Sequence, residues 1–138
     1  MYPKGNLFIP ASHGHLEAII KEPAGPRRGI ALVCHPHPLG GGTMHNKVVF
    51  RAAAGLVDAG LTTLRFNFRG VGASTGIHNE VEGGVEDATD ALTYLQTQFP
   101  GEDITLAGFS FGSRVGMQAG FQDDDVKRLI SIGTPVEK

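Results

Sequence analysis

The stretch Ile104-Thr105-Leu106-Ala107-Gly108-Phe109-Ser110-Phe111-Gly112-Ser113-Arg114-Val115-Gly116 admits few folds. It reads as an apolar strand, a very tight turn at Ser110, and a helix. Gly108 and Gly112 flank the serine with G-x-S-x-G spacing, an elbow in which strand and helix come so close that a side chain at either flanking position would collide. Such an elbow holds its serine in a strained backbone conformation and projects Oγ from the top of a sheet. Gly112, Gly116 and Gly120 recur at every fourth residue, so one face of the predicted helix is bare and can approach a sheet closely. The turn also sets the Phe111 amide at a helix N-terminus, where an unpaired N–H and the helix dipole stabilise developing negative charge. Ser110 is thus a candidate nucleophile and Phe111 a candidate backbone donor.

The pattern alone discriminates poorly in a chain with 20 glycines in 138 residues. Gly72-Ala73-Ser74-Thr75-Gly76 matches it too. The residues downstream of each copy separate them. After Gly76 comes Ile77-His78-Asn79-Glu80, with no immediate helical pattern, whereas Ser110 leads into the glycine-faced helix. Context selects Ser110.

Taken in order, Asn6–Pro10 and His15–Lys21 are short β-like runs around Ser12-His13-Gly14, the pattern of a hairpin, with His13 and His15 read as surface loop residues. Gly29–Cys34 is continuously apolar, which predicts a strand covered on both faces and hence a parallel sheet. It exits into His35-Pro36-His37-Pro38-Leu39-Gly40-Gly41-Gly42, where two prolines and three glycines exclude a helix. Loops at the C-terminal ends of parallel strands are where such folds bind ligands. Residues 44 to 59 place Val48, Val49, Ala52, Ala53, Leu56 and Val57 on one helical face, with Gly60 as the stop.

Leu61 to Phe68 reads as the next strand. Its exit, Asn67-Phe68-Arg69-Gly70-Val71-Gly72-Ala73-Ser74, is no dinucleotide fingerprint, because the sixth position of G-x-G-x-x-G is Thr75 and no helix opens on it. Val81, Val85, Ala88, Leu92, Leu95 and Phe99 then mark a helix ended by Pro100-Gly101. Glu80, Glu82, Glu86 and Asp87 crowd its N-terminal end and read as dipole partners on a solvated face rather than catalysts. Gln122–Asp125 is a loop and Val126–Ile132 a last strand. Strands alternating with helices predict one doubly wound, mostly parallel α/β unit spanning residues 1–138, with helices on both faces and right-handed crossovers.

A formal net charge of -2 points to neither nucleic acid nor an anionic membrane as partner. Met1-Tyr2-Pro3-Lys4-Gly5 lacks the apolar core of a signal peptide, and no apolar run approaches a membrane span, so the expected location is cytoplasmic. The single cysteine, Cys34, has no internal disulfide partner and reads as a small buried hydrophobe. No motif calls for a cofactor.

The His35–Gly42 loop, the Asn67–Ser74 exit and the Gly108–Gly112 elbow, in that order, resemble the α/β-hydrolase superfamily. The closer likeness is to its small bacterial serine hydrolases with HPHP and glycines after the third strand. The resemblance implies that Ser110 attacks a carbonyl of an ester or related small acyl compound, and that the Phe111 amide is one oxyanion donor. The second donor is expected from the loop after the third strand. Pro36 and Pro38 have no N–H, which leaves His37 as first choice and Leu39 as second.

In that family the acid and the histidine come after the serine. Here all six histidines precede Ser110, and the later acids are Asp123, Asp124, Asp125 and Glu137. The aspartates fall before the last strand, at the wrong end of the sheet; Glu137 lies beyond that strand. The resemblance therefore implies a C-terminally truncated, N-terminal part of a hydrolase, lacking the last strands and helices and the triad's acid and base, and nearly inactive by itself. It also implies an exposed edge on Val126–Ile132 through which the chain self-associates.

Two other readings compete. His35-Pro36-His37 with His45 offers H-x-H metal ligands for a metal-dependent hydrolase. A hydrolase-like fold without its base would instead serve as a non-catalytic binding module.

Overall fold

The computed structural model describes residues 6–133. Six strands form one sheet: β1 (Asn6–Ala11), β2 (Gly14–Lys21), β3 (Gly29–Cys34), β4 (Leu61–Phe66), β5 (Ile104–Phe109) and β6 (Val126–Ile132). Three α-helices connect the parallel strands: α1 (Lys47–Asp58), α2 (Glu80–Gln98) and α3 (Phe111–Phe121). The strand order is β1-β2-β4-β3-β5-β6. The β1–β2 hairpin and the β2–β4 pairing are antiparallel, and β4, β3, β5 and β6 are mutually parallel.

This order answers the apolar patterning strand by strand. Every residue of β3 is buried, because β3 lies at the sheet's centre with a helix layer on each face. Its side chains alternate: Ile30, Leu32 and Cys34 join the larger core with α2 and α3, whereas Val33 joins Val49 and Ala53 of α1 on the other face. The chain runs from β3 to β4 on one side and then crosses to β5 on the other. That reversal is a topological switch point, and it opens a crevice beyond the carboxyl ends of β3 and β5.

The helices begin and end as their sequences dictate. The Asn46 side chain caps α1 by accepting from the Val48 and Val49 amides at 2.9 and 3.2 Å. Gly60, at φ 97°, ends it. The apolar stripe of α2 buries Ala88, Leu92 and Leu95, while Val81, Val85 and Phe99 pack at its margin.

Several details depart from the sequence reading. β4 stops at Phe66, because the Phe68 amide donates to the His35 ring instead of continuing the strand. The His35–Gly42 loop contains one 3-10 turn, Pro38–Gly40. Pro38 is tolerated at its first position, where no amide donor is needed, and Gly41 closes it at φ 84°. Asp87 is fully buried rather than solvated: it accepts from the Arg69 guanidinium and backbone and from His13. His13 and His15 are not free surface residues either. The His13 ring bridges Thr75 and Asp87, and His15 bonds the Ala73 carbonyl and stacks edge-on with Phe8. The His13 contacts join residues 60 or more positions apart, which sequence spacing does not reveal.

Candidate active site

Ser110 sits between β5 and α3 at φ 56°, ψ −113°, one of two non-glycine residues with positive φ among those described. Such a conformation costs about 1–3 kcal/mol and persists only where its surroundings over-determine it. Here they do. A Cβ on Gly108 would lie 2.6 Å from the Ser113 nitrogen, and one on Gly112 would lie 2.5 Å from the His35 carbonyl oxygen and closer still to that of Cys34. Added methyls at Gly116 and Gly120 would strike Leu106 and Leu129. The bare helical face is thus the face on which α3 lies against β3, β5 and β6. The Ser110 amide continues the sheet ladder by donating to Ile132 at 2.8 Å, and its carbonyl accepts from Ser113 and Arg114 as α3 begins.

Ser74, in the second copy of the pattern, has a different place. It is buried, its hydroxyl donates to the Asn67 carbonyl at 2.7 Å, and it accepts from the Glu17 amide at 2.8 Å. Glu17 in turn accepts from Asn67, Ala73 and Asn6. Ser74 belongs to a polar knot that fastens the β4 exit to β2.

The loop after β3 comes to the elbow. His35 is buried; its Nδ1 lies 2.6 Å from the Pro36 carbonyl and its Nε2 accepts from the Phe68 amide at 3.1 Å. Burial holds its pKa down at about 4, so the ring is neutral, with Nδ1–H the donor. Both nitrogens are engaged, so His35 is a brace between the two loops. The metal reading through His35, His37 and His45 therefore loses its first ligand.

The His37 ring packs edge-on against Phe111, with centroids 4.8 Å apart. Its Nδ1 accepts from the Leu39 amide at 3.1 Å, which occupies that donor. Of the two loop amides considered for the oxyanion, Leu39 is thus turned to the His37 ring. Its side chain is exposed.

Sequence reasoning missed His78 and Glu80 as neighbours of this site. The Glu80 carboxylate accepts from His78 at 3.0 Å and from His37 at 3.3 Å, and the hydrogen bonds from these two imidazoles hold it below the usual carboxylate range. The only available signal was that His78 and Glu80 come after a strand exit at the same end of the sheet. The Asp123–Asp125 loop precedes β6 at the opposite end, where Asp123 accepts from Gln96. Glu137 lies outside the described residues. Cys34 is fully buried, and burial pushes its thiol up to about 12, which leaves it unreactive.

A groove of about 750 Å³ lined by Lys21, Pro23, Arg28, Phe50, Val57 and Gly60 lies at the amino ends of β3 and β4. It is at the far end of the sheet from Ser110, where doubly wound folds do not present ligands.

Residues 32–138 match the alpha/beta hydrolase fold family. The chain belongs to that family. A solved alpha-beta serine hydrolase homologue from Coxiella burnetii is 41% identical, covers 95% of this chain and superposes with a TM-score of 0.89. A Xanthomonas campestris protein, described as a member of the a/b serine hydrolases without a lid, is 35% identical over the whole chain with a TM-score of 0.91. An uncharacterized protein of Rickettsia prowazekii is 41% identical over 131 residues, or 94% of this chain. This α/β-hydrolase chain spans 63% and 65% of the two solved proteins and 55% of the Rickettsia protein.

Proposed function

We propose that this α/β hydrolase is a serine hydrolase in which Ser110 attacks the carbonyl of an ester or related small acyl compound. The observation that carries this reading is the strained Ser110 backbone at the β5–α3 junction, beyond the carboxyl end of the sheet. Strain of this kind has no packing benefit for a small polar side chain, and it is what presents a hydroxyl above a sheet. The Phe111 amide, at the first position of α3, serves as one oxyanion donor, and the His37 amide on the facing loop as the second. Leu39 is the weaker choice, since its N–H already bonds the His37 ring. The two solved proteins named as serine hydrolases, at 41% and 35% identity, support the same chemistry.

Proton removal from Ser110 needs a base. Among the described residues no histidine ring is hydrogen-bonded to the Ser110 hydroxyl; both ring nitrogens of His13, His35 and His37, and Nε2 of His15 and His78, bond elsewhere. Loss of one triad member costs about four to six powers of ten in rate. The 138-residue chain is therefore expected to turn over a p-nitrophenyl ester barely above background. The second reading is a hydrolase-like binding module that does no chemistry.

A fluorophosphonate probe on the longest form of the protein that can be expressed separates the two. Modification located at Ser110 by mass spectrometry and abolished by Ser110→Ala supports the enzyme; silence at Ser110 supports the module. Among the described residues no helix is long and apolar enough to cross a membrane. A cytoplasmic setting is part of this reading, in keeping with a single cysteine that is free.

A further inference from the structure

We propose that His37, His78 and Glu80 bind one divalent transition-metal ion of the zinc class beside the Ser110 elbow. The three side chains offer two imidazole nitrogens and a carboxylate oxygen that all lie within 4.8 Å of one another. Among the described residues no other trio of histidine, cysteine and acid comes together in this way.

The spacing fits the ion. Four-coordinate zinc, with bonds of about 2.1 Å, holds its ligand atoms about 3.4 Å apart. His37 Nε2 is already 3.3 Å from one Glu80 oxygen, and His78 Nε2 is 3.0 Å from the other. The set as a whole spans up to 4.8 Å, so closing it on one ion draws the widest pair in by up to about 1.4 Å. Two imidazoles and one carboxylate suit zinc, cobalt, nickel or copper, whereas calcium and magnesium demand a shell of oxygens. Three protein ligands leave a fourth position open.

The surroundings are those of a built site rather than a chance ion pair. His37 comes from the loop after β3, and His78 and Glu80 from the entry to α2, so two separate connections converge. The rings of His37 and His78 are 4.8 Å apart, and Phe111 covers both, at 4.8 and 5.7 Å. Phe111 thus backs the two rings on one side, while the Glu80 carboxylate keeps the ligand cluster open to solvent. Glu80 enters α2 at φ 44°, sharing positive φ only with Ser110 among described non-glycine residues, and this turn delivers its carboxylate to the two rings. The nearby guanidinium of Arg69 is already committed to Asp87 and Glu86, so it does not neutralise Glu80.

Binding has a local consequence. His37 Nδ1 now accepts the Leu39 amide, which leaves the ring proton on Nε2. Coordination through Nε2 moves that proton to Nδ1, where it faces the Leu39 N–H. The ion and the Leu39 hydrogen bond therefore exclude one another.

The test is calorimetric titration of the metal-free chain with Zn²⁺, repeated with Co²⁺ to read the visible bands of a low-coordinate site. One equivalent is expected to bind. Affinity should fall roughly tenfold or more in His78→Ala and in Glu80→Gln, and stay unchanged in His45→Ala. Saturation with Zn²⁺ should also speed hydrogen exchange at the Leu39 amide. Glu80→Gln alters an exposed carboxylate without changing its size, and circular dichroism will verify its fold. No saturable binding, affinity that survives both His78→Ala and Glu80→Gln, or a loss in His45→Ala would each overturn the site. No turnover is measured, so the outcome is separate from the role given to Ser110.

Discussion

His35 shows how a single side chain couples the candidate site to stability. Its ring is neutral because burial pulls its pKa to about 4, and the neutral form is the one that accepts the Phe68 amide while donating to Pro36. In the unfolded chain the same ring titrates near 6.5. The unfolded state therefore binds the extra proton first, and the contribution of His35 is present above pH about 6.5 and lost as pH falls toward 4. Its size is on the order of 3 kcal/mol. Denaturant melts from pH 7 to 4 should show this fall, and His35→Gln should flatten it while lowering stability at pH 7. An unchanged pH profile in that variant would mean that another group controls the transition. His35 also marks a limit of sequence reading. An H-x-H after a strand suggests ligands, yet the fold turns one histidine inward as a brace and sends the other, His37, to Glu80.

At the scale of elements, the junction of β5 and α3 governs the site. The helix can lie against the sheet only because its facing positions carry no side chain. At Gly112 the obstruction is backbone, the carbonyls of Cys34 and His35, which have no flexible end to move aside. Gly112→Ala is therefore expected to cost about 3 kcal/mol or more, at the upper end of core overpacking, and to displace Ser110. Chemical denaturation would measure it; a loss under about 1 kcal/mol would show that α3 can slide. The companion variant Gly55→Ala, on the exposed side of α1 with open space around it, should be neutral or stabilising by up to about 1 kcal/mol. The spacing of Gly108, Gly112, Gly116 and Gly120 made this junction legible in advance. The acidic start of α2 was not legible in the same way. Periodicity identified its helix, but whether Asp87 faces water or Arg69 depends on a loop that the period does not describe.

For the whole molecule, the six strands leave β6 outermost, with most of its residues exposed, among them Ile130 at 42%. An outer parallel strand with apolar side chains offers its edge to another chain. The 138-residue chain is accordingly expected to self-associate through Val126–Ile132. Sedimentation velocity across a range of concentrations should show species larger than the monomer, reduced when Ile130 is replaced by Lys. A stable, monodisperse monomer would count against it.

By itself the sequence determined the alternation of strands and helices, the central burial of β3 and the close approach of α3. These arise from local periodicity and from the absence of a Cβ, and neither depends on distant partners. The same G-x-S-x-G string occurs twice, and although the downstream residues already distinguished the copies, only the tertiary structure gave each serine its surroundings. It held Ser110 at positive φ over the switch point and sank Ser74 into hydrogen bonds with Asn67 and Glu17. It also gathered His37, His78 and Glu80, because proximity between loops is set by strand order, a property of the assembled sheet rather than of any stretch of chain.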